Sequence, residues 1–139
     1  MKFDEFRRQW SNTVHKPPSD EEHHIQVACV RWFRLKYPHL SPRLFAVPNG
    51  GRRDGITGAR LKEEGVLAGV ADLILLVPNA DYHALLIEMK TPKGRQSESQ
   101  KAWQQEVCAE GEYKYVVCRS LEEFVREVEE YLQNKYALT

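Results

Sequence analysis

Apolar residues recur along this chain with two spacings, one helical and one strand-like. Between Asp20 and Tyr37, the residues Ile25, Val27, Ala28, Val30, Trp32 and Phe33 fit one broad face of a helix, and Pro38 ends it. RLFAVP (43–48) has the length and content of a short strand, and NGGRRDG (49–55) punctuates it as a loop. Residues 56–64 fit a short helix closed by Gly65. ADLILLV (71–77) and ALLIEMK (84–90) are strands, and the short PNADYH between them favours an antiparallel hairpin. Residues 97–111 form a helix that Ser97 caps and Gly111 stops, with Ala102, Trp103, Val107 and Cys108 facing inward. YKYVVC (113–118) is a strand. The chain then enters an amphipathic helix capped by Ser120, with Leu121, Phe124, Val125, Val128 and Leu132 on one side.

HKPPSD (15–20) is the main break, where two prolines stop the chain before Ser19 and Asp20 open the next helix. It separates an N-terminal arm, residues 1–19 with a short helix over 2–13, from one domain over 20–139. The element order predicts an α/β domain with one mixed four-stranded sheet flanked by helices. The step from ALLIEMK through a helix to YKYVVC fits a right-handed crossover between parallel strands.

The length of 139 residues and apolar content of 42% suit a single core. No apolar run reaches the length that crosses a bilayer, and the N-terminus has no secretory pattern, so no membrane association is expected. Cys29, Cys108 and Cys118 form no Cys-x-x-Cys pair, which argues against a disulfide framework or zinc knuckle and points to the cytoplasm. Net charge is zero, but it is unevenly spread. Residues 31–62 hold eight basic side chains and one acid, whereas 106–139 hold eight Glu against four Lys or Arg. The basic block fits either a phosphate-binding face or ordinary solvated surface.

The strands carry charges that a core does not need. Alternation puts Leu86, Glu88 and Lys90 on one face and Ile87 and Met89 on the other. In an antiparallel hairpin, Asp72 at the start of the first strand lies beside the end of the second. Asp72, Glu88 and Lys90 therefore meet at one edge of the sheet. Two carboxylates so placed repel unless a proton or cation sits between them. A hard divalent cation takes such oxygens, and the Met89 carbonyl is a further possible ligand. Such a cation makes water more acidic, and a lysine beside it can orient that water towards a phosphodiester or stabilise charge on the phosphate. The alternative is a structural ion pair of Lys90 with Asp72 or Glu88.

This arrangement resembles the PD-(D/E)xK nuclease superfamily, with its restriction-endonuclease-like core, and more narrowly the VRR-NUC family. The resemblance spans about residues 20–133 and rests on motifs in the family's order. They are EHHIQ in the first helix, PNGGRR after the first strand, GVADLIL around Asp72, and IEMKTPKGRQSESQKAW with Glu88, Lys90, Ser97 and Gln100. Ala71 stands where the superfamily name has proline; the proline stiffens backbone and ligates nothing, so activity is not put in doubt.

The resemblance implies a Mg2+- or Mn2+-dependent endodeoxyribonuclease. Standalone members resemble Holliday-junction resolvases acting as homodimers on branched DNA, in a bacterial or phage-infected cell. A flap or nicking nuclease with a replication or repair partner, and a non-catalytic DNA-binding module on the same fold, are the alternatives. The implied catalytic residues are Asp72, Glu88, Lys90, Gln100 and Glu22. The metal ligands are Asp72, Glu88, the Met89 carbonyl and Glu22, the last reaching the metal through water or binding a second ion. Glu22 is preferred to Glu21 because Gln26, four residues on, shares its helix face. Gln26, Asn49, Gly50, Gly51, Arg52, Arg53, Lys93 and Ser97 are the expected DNA contacts. His23 and His24 diverge on a helix and lack a partner pair, so zinc is rejected; Trp32 and Trp103 are read as packing. Trp10 is read as packing on the domain or on a partner subunit.

Overall fold

A computed structural model describes residues 2–13, 20–48 and 55–135. The N-terminal arm is helix α1 (Phe3–Thr13), followed by α2 (Glu21–Lys36). A short 3-10 segment (Pro38–Arg43) leads into β1 (Leu44–Ala46), and α3 (Gly55–Glu63) follows. Then come β2 (Leu73–Leu75), β3 (Ala84–Met89), α4 (Glu98–Val107), β4 (Tyr113–Cys118) and α5 (Leu121–Gln133). The four strands make one sheet in the order β1-β2-β3-β4. β1–β2 and β2–β3 are antiparallel, and β3–β4 is parallel across α4, so the sheet is mixed as the sequence predicts.

Alternation gives the sheet two unlike faces. Leu73, Leu75, Leu85, Ile87, Met89 and Cys118 face α2 and α5, where they pack with Cys29, Trp32, Phe33, Phe124 and Val128. Trp32 meets Phe124 and Tyr37 edge to face at 6.1 and 5.8 Å, so it is a packing residue. α1 adds Phe6 to this core, sets Phe3 edge-on to Trp32, and links to α5 through Arg7 and Glu122 at 3.0 Å. The second face carries Leu86, Glu88 and Tyr115, and α4 lies over it, with Trp103 6.2 Å from the Tyr115 ring.

Several expectations change in detail. β1 and β2 are three residues each, so Asp72 immediately precedes β2. No residue of α4 is fully buried and Ala102 is exposed, because that helix covers a polar cluster. On α5 the buried position is Tyr131, while Leu132 is half-buried. The Tyr131 hydroxyl donates to Val77 O at 2.7 Å, which satisfies it in the core. Asp20 caps α2 without a side-chain hydrogen bond, since its backbone is not extended there. Among the described residues no helix is long and apolar enough to cross a membrane.

Candidate active site

The hairpin register places the charges. Leu73 pairs with Ile87, so one step further Asp72 stands opposite Glu88. Asp72 Oδ2 accepts the Met89 N–H at 2.7 Å, which ties the start of β2 to the end of β3. Burial pushes the Asp72 carboxyl above the usual range; the Met89 N–H and Lys90 oppose this, and Glu88 adds to it. Glu22, at the first turn of α2, is also raised, by burial and then by Asp72. Lys90 opposes that shift and Glu88 reinforces it, so Glu22 feels the whole cluster.

Glu88 is fully buried. Its Oε1 accepts the Tyr115 hydroxyl at 2.5 Å and the Gln96 amide at 3.4 Å. Its Oε2 is buried with no hydrogen-bond partner among the described residues. A bare buried carboxylate oxygen costs several kcal/mol, roughly, unless something positive reaches it. Lys90 forms no ion pair among the described residues. The structural ion pair that the sequence left open is therefore not formed.

This donor set fits a hard divalent cation: two carboxylates and backbone oxygen, with no sulfur or imidazole. Among the described residues no three Asp, Glu, His or Cys side chains gather closely enough to hold an ion by themselves. Glu22 is thus coupled to Asp72 and Glu88 without closing on the same point. Magnesium tolerates this, because one or two carboxylates suffice and water completes its octahedron.

The segments that frame the site are fixed by backbone contacts. Gly69, with φ of 91°, lies so close to α4 that an added Cβ would stand 2.4 Å from Ser99 O. Arg119 Nη1 donates to Thr91 O at 2.9 Å and to Gly94 O at 2.5 Å, shaping the loop between Lys90 and α4. At the start of α4, Ser97 Oγ accepts the Gln100 N–H and Gln100 Oε1 accepts the Ser97 N–H, at 3.2 and 2.8 Å. This is a full capping box, so the Gln100 amide oxygen serves the helix end.

The structure brings Asp72, Glu88, Lys90 and Glu22 into one electrostatic cluster. Gln26 and His23 line a groove of about 780 Å³ that runs from Glu22 along α2 past Val30 and Arg34. Lys93 is exposed on the loop after Lys90. Asn49, Gly50, Gly51, Arg52 and Arg53 lie outside the described residues, as does the side chain of Trp10. Sequence reasoning missed Tyr115, Gln96 and Arg119. Tyr115 and Arg119 act across the fold and Gln96 from the loop before α4, and only the parity of Tyr115 with the β4 positions facing Glu88 hinted at a role.

A solved structure of a VRR_NUC domain protein superposes with a TM-score of 0.73 at 22% identity, covering 88% of this chain and 94% of that one. It shows the shared fold. No curated protein matches the chain. The family model of the VRR-NUC domain matches residues 20–122, which hold every charged residue of the cluster. With the model spanning most of its length, the chain belongs to the VRR-NUC domain family, a family of nucleases.

Proposed function

We propose that the protein is a divalent-metal-dependent, structure-selective DNA endonuclease, a homodimeric resolvase of four-way junctions. The observation that carries this is Glu88, fully buried with one oxygen bare, beside Asp72 and a Lys90 that forms no ion pair, all among the described residues. A structural cluster would close Lys90 onto a carboxylate, whereas among the described residues Lys90 makes no ion pair with Asp72 or Glu88.

Asp72, Glu88 and the Met89 carbonyl would hold Mg2+ or Mn2+, with Glu22 reaching it through water. When bound there, such a cation would supply positive charge and make water a better nucleophile. Lys90 orients the attacking water and offsets charge gathering on the phosphate oxygens. Water adds to phosphorus, a phosphorus–oxygen bond breaks, and the leaving oxygen takes up a proton. Gln26, Lys93, Ser97 and the Gln100 amide nitrogen, with Asn49, Gly50, Gly51, Arg52 and Arg53, hold the DNA backbone on either side.

The two-fold symmetry of a four-way junction calls for two sites in a C2 dimer. Exposed Phe45 on the edge strand β1 and exposed Leu76 beyond β2 support this, as apolar surface that a second copy would cover. The test is cleavage of labelled four-way junction, flap, nicked and plain duplex DNA with Mg2+ or Mn2+. Paired symmetric cuts in the junction, with little cutting of plain duplex, are expected. Preference for flaps or nicks would replace the resolvase reading with a flap or nicking nuclease. Binding without any cut would leave a DNA-binding module.

A further inference from the structure

The Glu88 carboxylate is held asymmetrically. Among the described residues both of its donors, the Tyr115 hydroxyl and the Gln96 amide, converge on Oε1, and Oε2 is left without a partner although no solvent reaches the residue. Gln96 is itself oriented, since its amide also donates to Gln104 Oε1 at 2.8 Å. The Tyr115 ring is braced by Trp103. The parallel register explains its reach: Tyr115 pairs with Leu86 and shares its face, one pleat from Glu88.

We infer that Tyr115, beside Gln96, which Gln104 orients, is a positioning residue that anchors Glu88 by one oxygen and presents the other as a single-oxygen ligand to the divalent cation. An unanchored carboxylate could rotate, swing both oxygens towards the ion, or turn away from Asp72. Hydrogen bonds of this kind to a metal ligand typically change metal affinity 10–100-fold. The inference rests on the metal-dependent reading above, and the test separates the two.

The experiment is calorimetric titration of Mn2+ into the wild type and Tyr115→Phe, with thermal unfolding of each in EDTA. Phenylalanine keeps the ring against Trp103 and removes only the hydroxyl. In Tyr115→Phe the Mn2+ dissociation constant should rise about tenfold or more, with the DNA KM unchanged and lost cleavage partly restored by added Mn2+. Gln96→Met, whose donor is longer and weaker, should shift Mn2+ affinity in the same direction by a smaller factor; it serves if Tyr115→Phe does not fold. Variants that unfold at lower temperature yet bind Mn2+ like the wild type would overturn the positioning role and leave the metal site intact. A wild type that binds no Mn2+ would overturn both.

Discussion

Glu88→Gln abolishes cleavage, by roughly a thousandfold or more, and makes the metal-free protein more stable. The two effects share one cause. Glu88 is fully buried and its Oε2 has no partner among the described residues, so the native side chain keeps a bare polar oxygen in the interior until a cation arrives. Glutamine keeps the shape and keeps Oε1 for the Tyr115 hydroxyl. It replaces the bare oxygen with a neutral donor beside Asp72. Relief of a bare buried oxygen of this kind is worth about 1 kcal/mol or more, a rise in melting temperature of about 4 °C for a chain of this size. Mn2+ should then stabilise the wild type and not the variant, because only the wild type binds it. Thermal unfolding with and without Mn2+ checks this. A variant less stable than the wild type in EDTA would show that Glu88 is already balanced within the protein.

Gly69→Ala is expected to be far more destabilising than alanine at Gly65, Gly94 or Gly111. The backbone at Gly69 has φ of 91°, and the new Cβ would stand 2.4 Å from the Ser99 carbonyl oxygen and 2.6 Å from its carbon. Backbone atoms at the start of α4 cannot swing aside as a flexible side chain can. Strain at positive φ and the clash together cost about 3–5 kcal/mol, a large share of a domain's stability. Cleavage should fall as well, because Gly69 sets the segment that delivers Asp72. Gly65→Ala isolates the contact: Gly65 has φ of 104° and nothing within 4 Å of an added Cβ, so it should lose only about 1 kcal/mol. Chemical denaturation of both variants makes the comparison, and equal losses would remove the close approach from the explanation.

The elements were legible because their periods are strong. The α5 face from Leu121 to Val128 and the alternation in ALLIEMK leave little choice of structure, and the short PNADYH connection defines the hairpin. The charged site was legible for a related reason: Asp72 and Glu88 are misplaced as core residues, and the hairpin register joins them. What stayed hidden depends on tertiary contact. Tyr115 reads as an ordinary strand aromatic, and its hydroxyl acquires a role only when β4 lies parallel to β3. Arg119 reads as a surface cation, yet it gathers the carbonyls of the loop after Lys90. Gln100 shows a different limit. Ser97-x-x-Gln100 is a capping box in plain sequence, so the amide oxygen is committed to the helix end and the amide nitrogen is left for other contacts.

Cleavage of a labelled four-way junction by the wild type and by Lys90→Ala, each with Mn2+ and with EDTA, tests the central claim most directly. The account predicts cutting by the wild type with Mn2+, none with EDTA, and none by Lys90→Ala, which still binds the junction with nearly unchanged affinity. Cutting by the wild type in EDTA, or normal cutting by Lys90→Ala, would contradict the assignment of Asp72, Glu88 and Lys90 as a metal-dependent hydrolytic site.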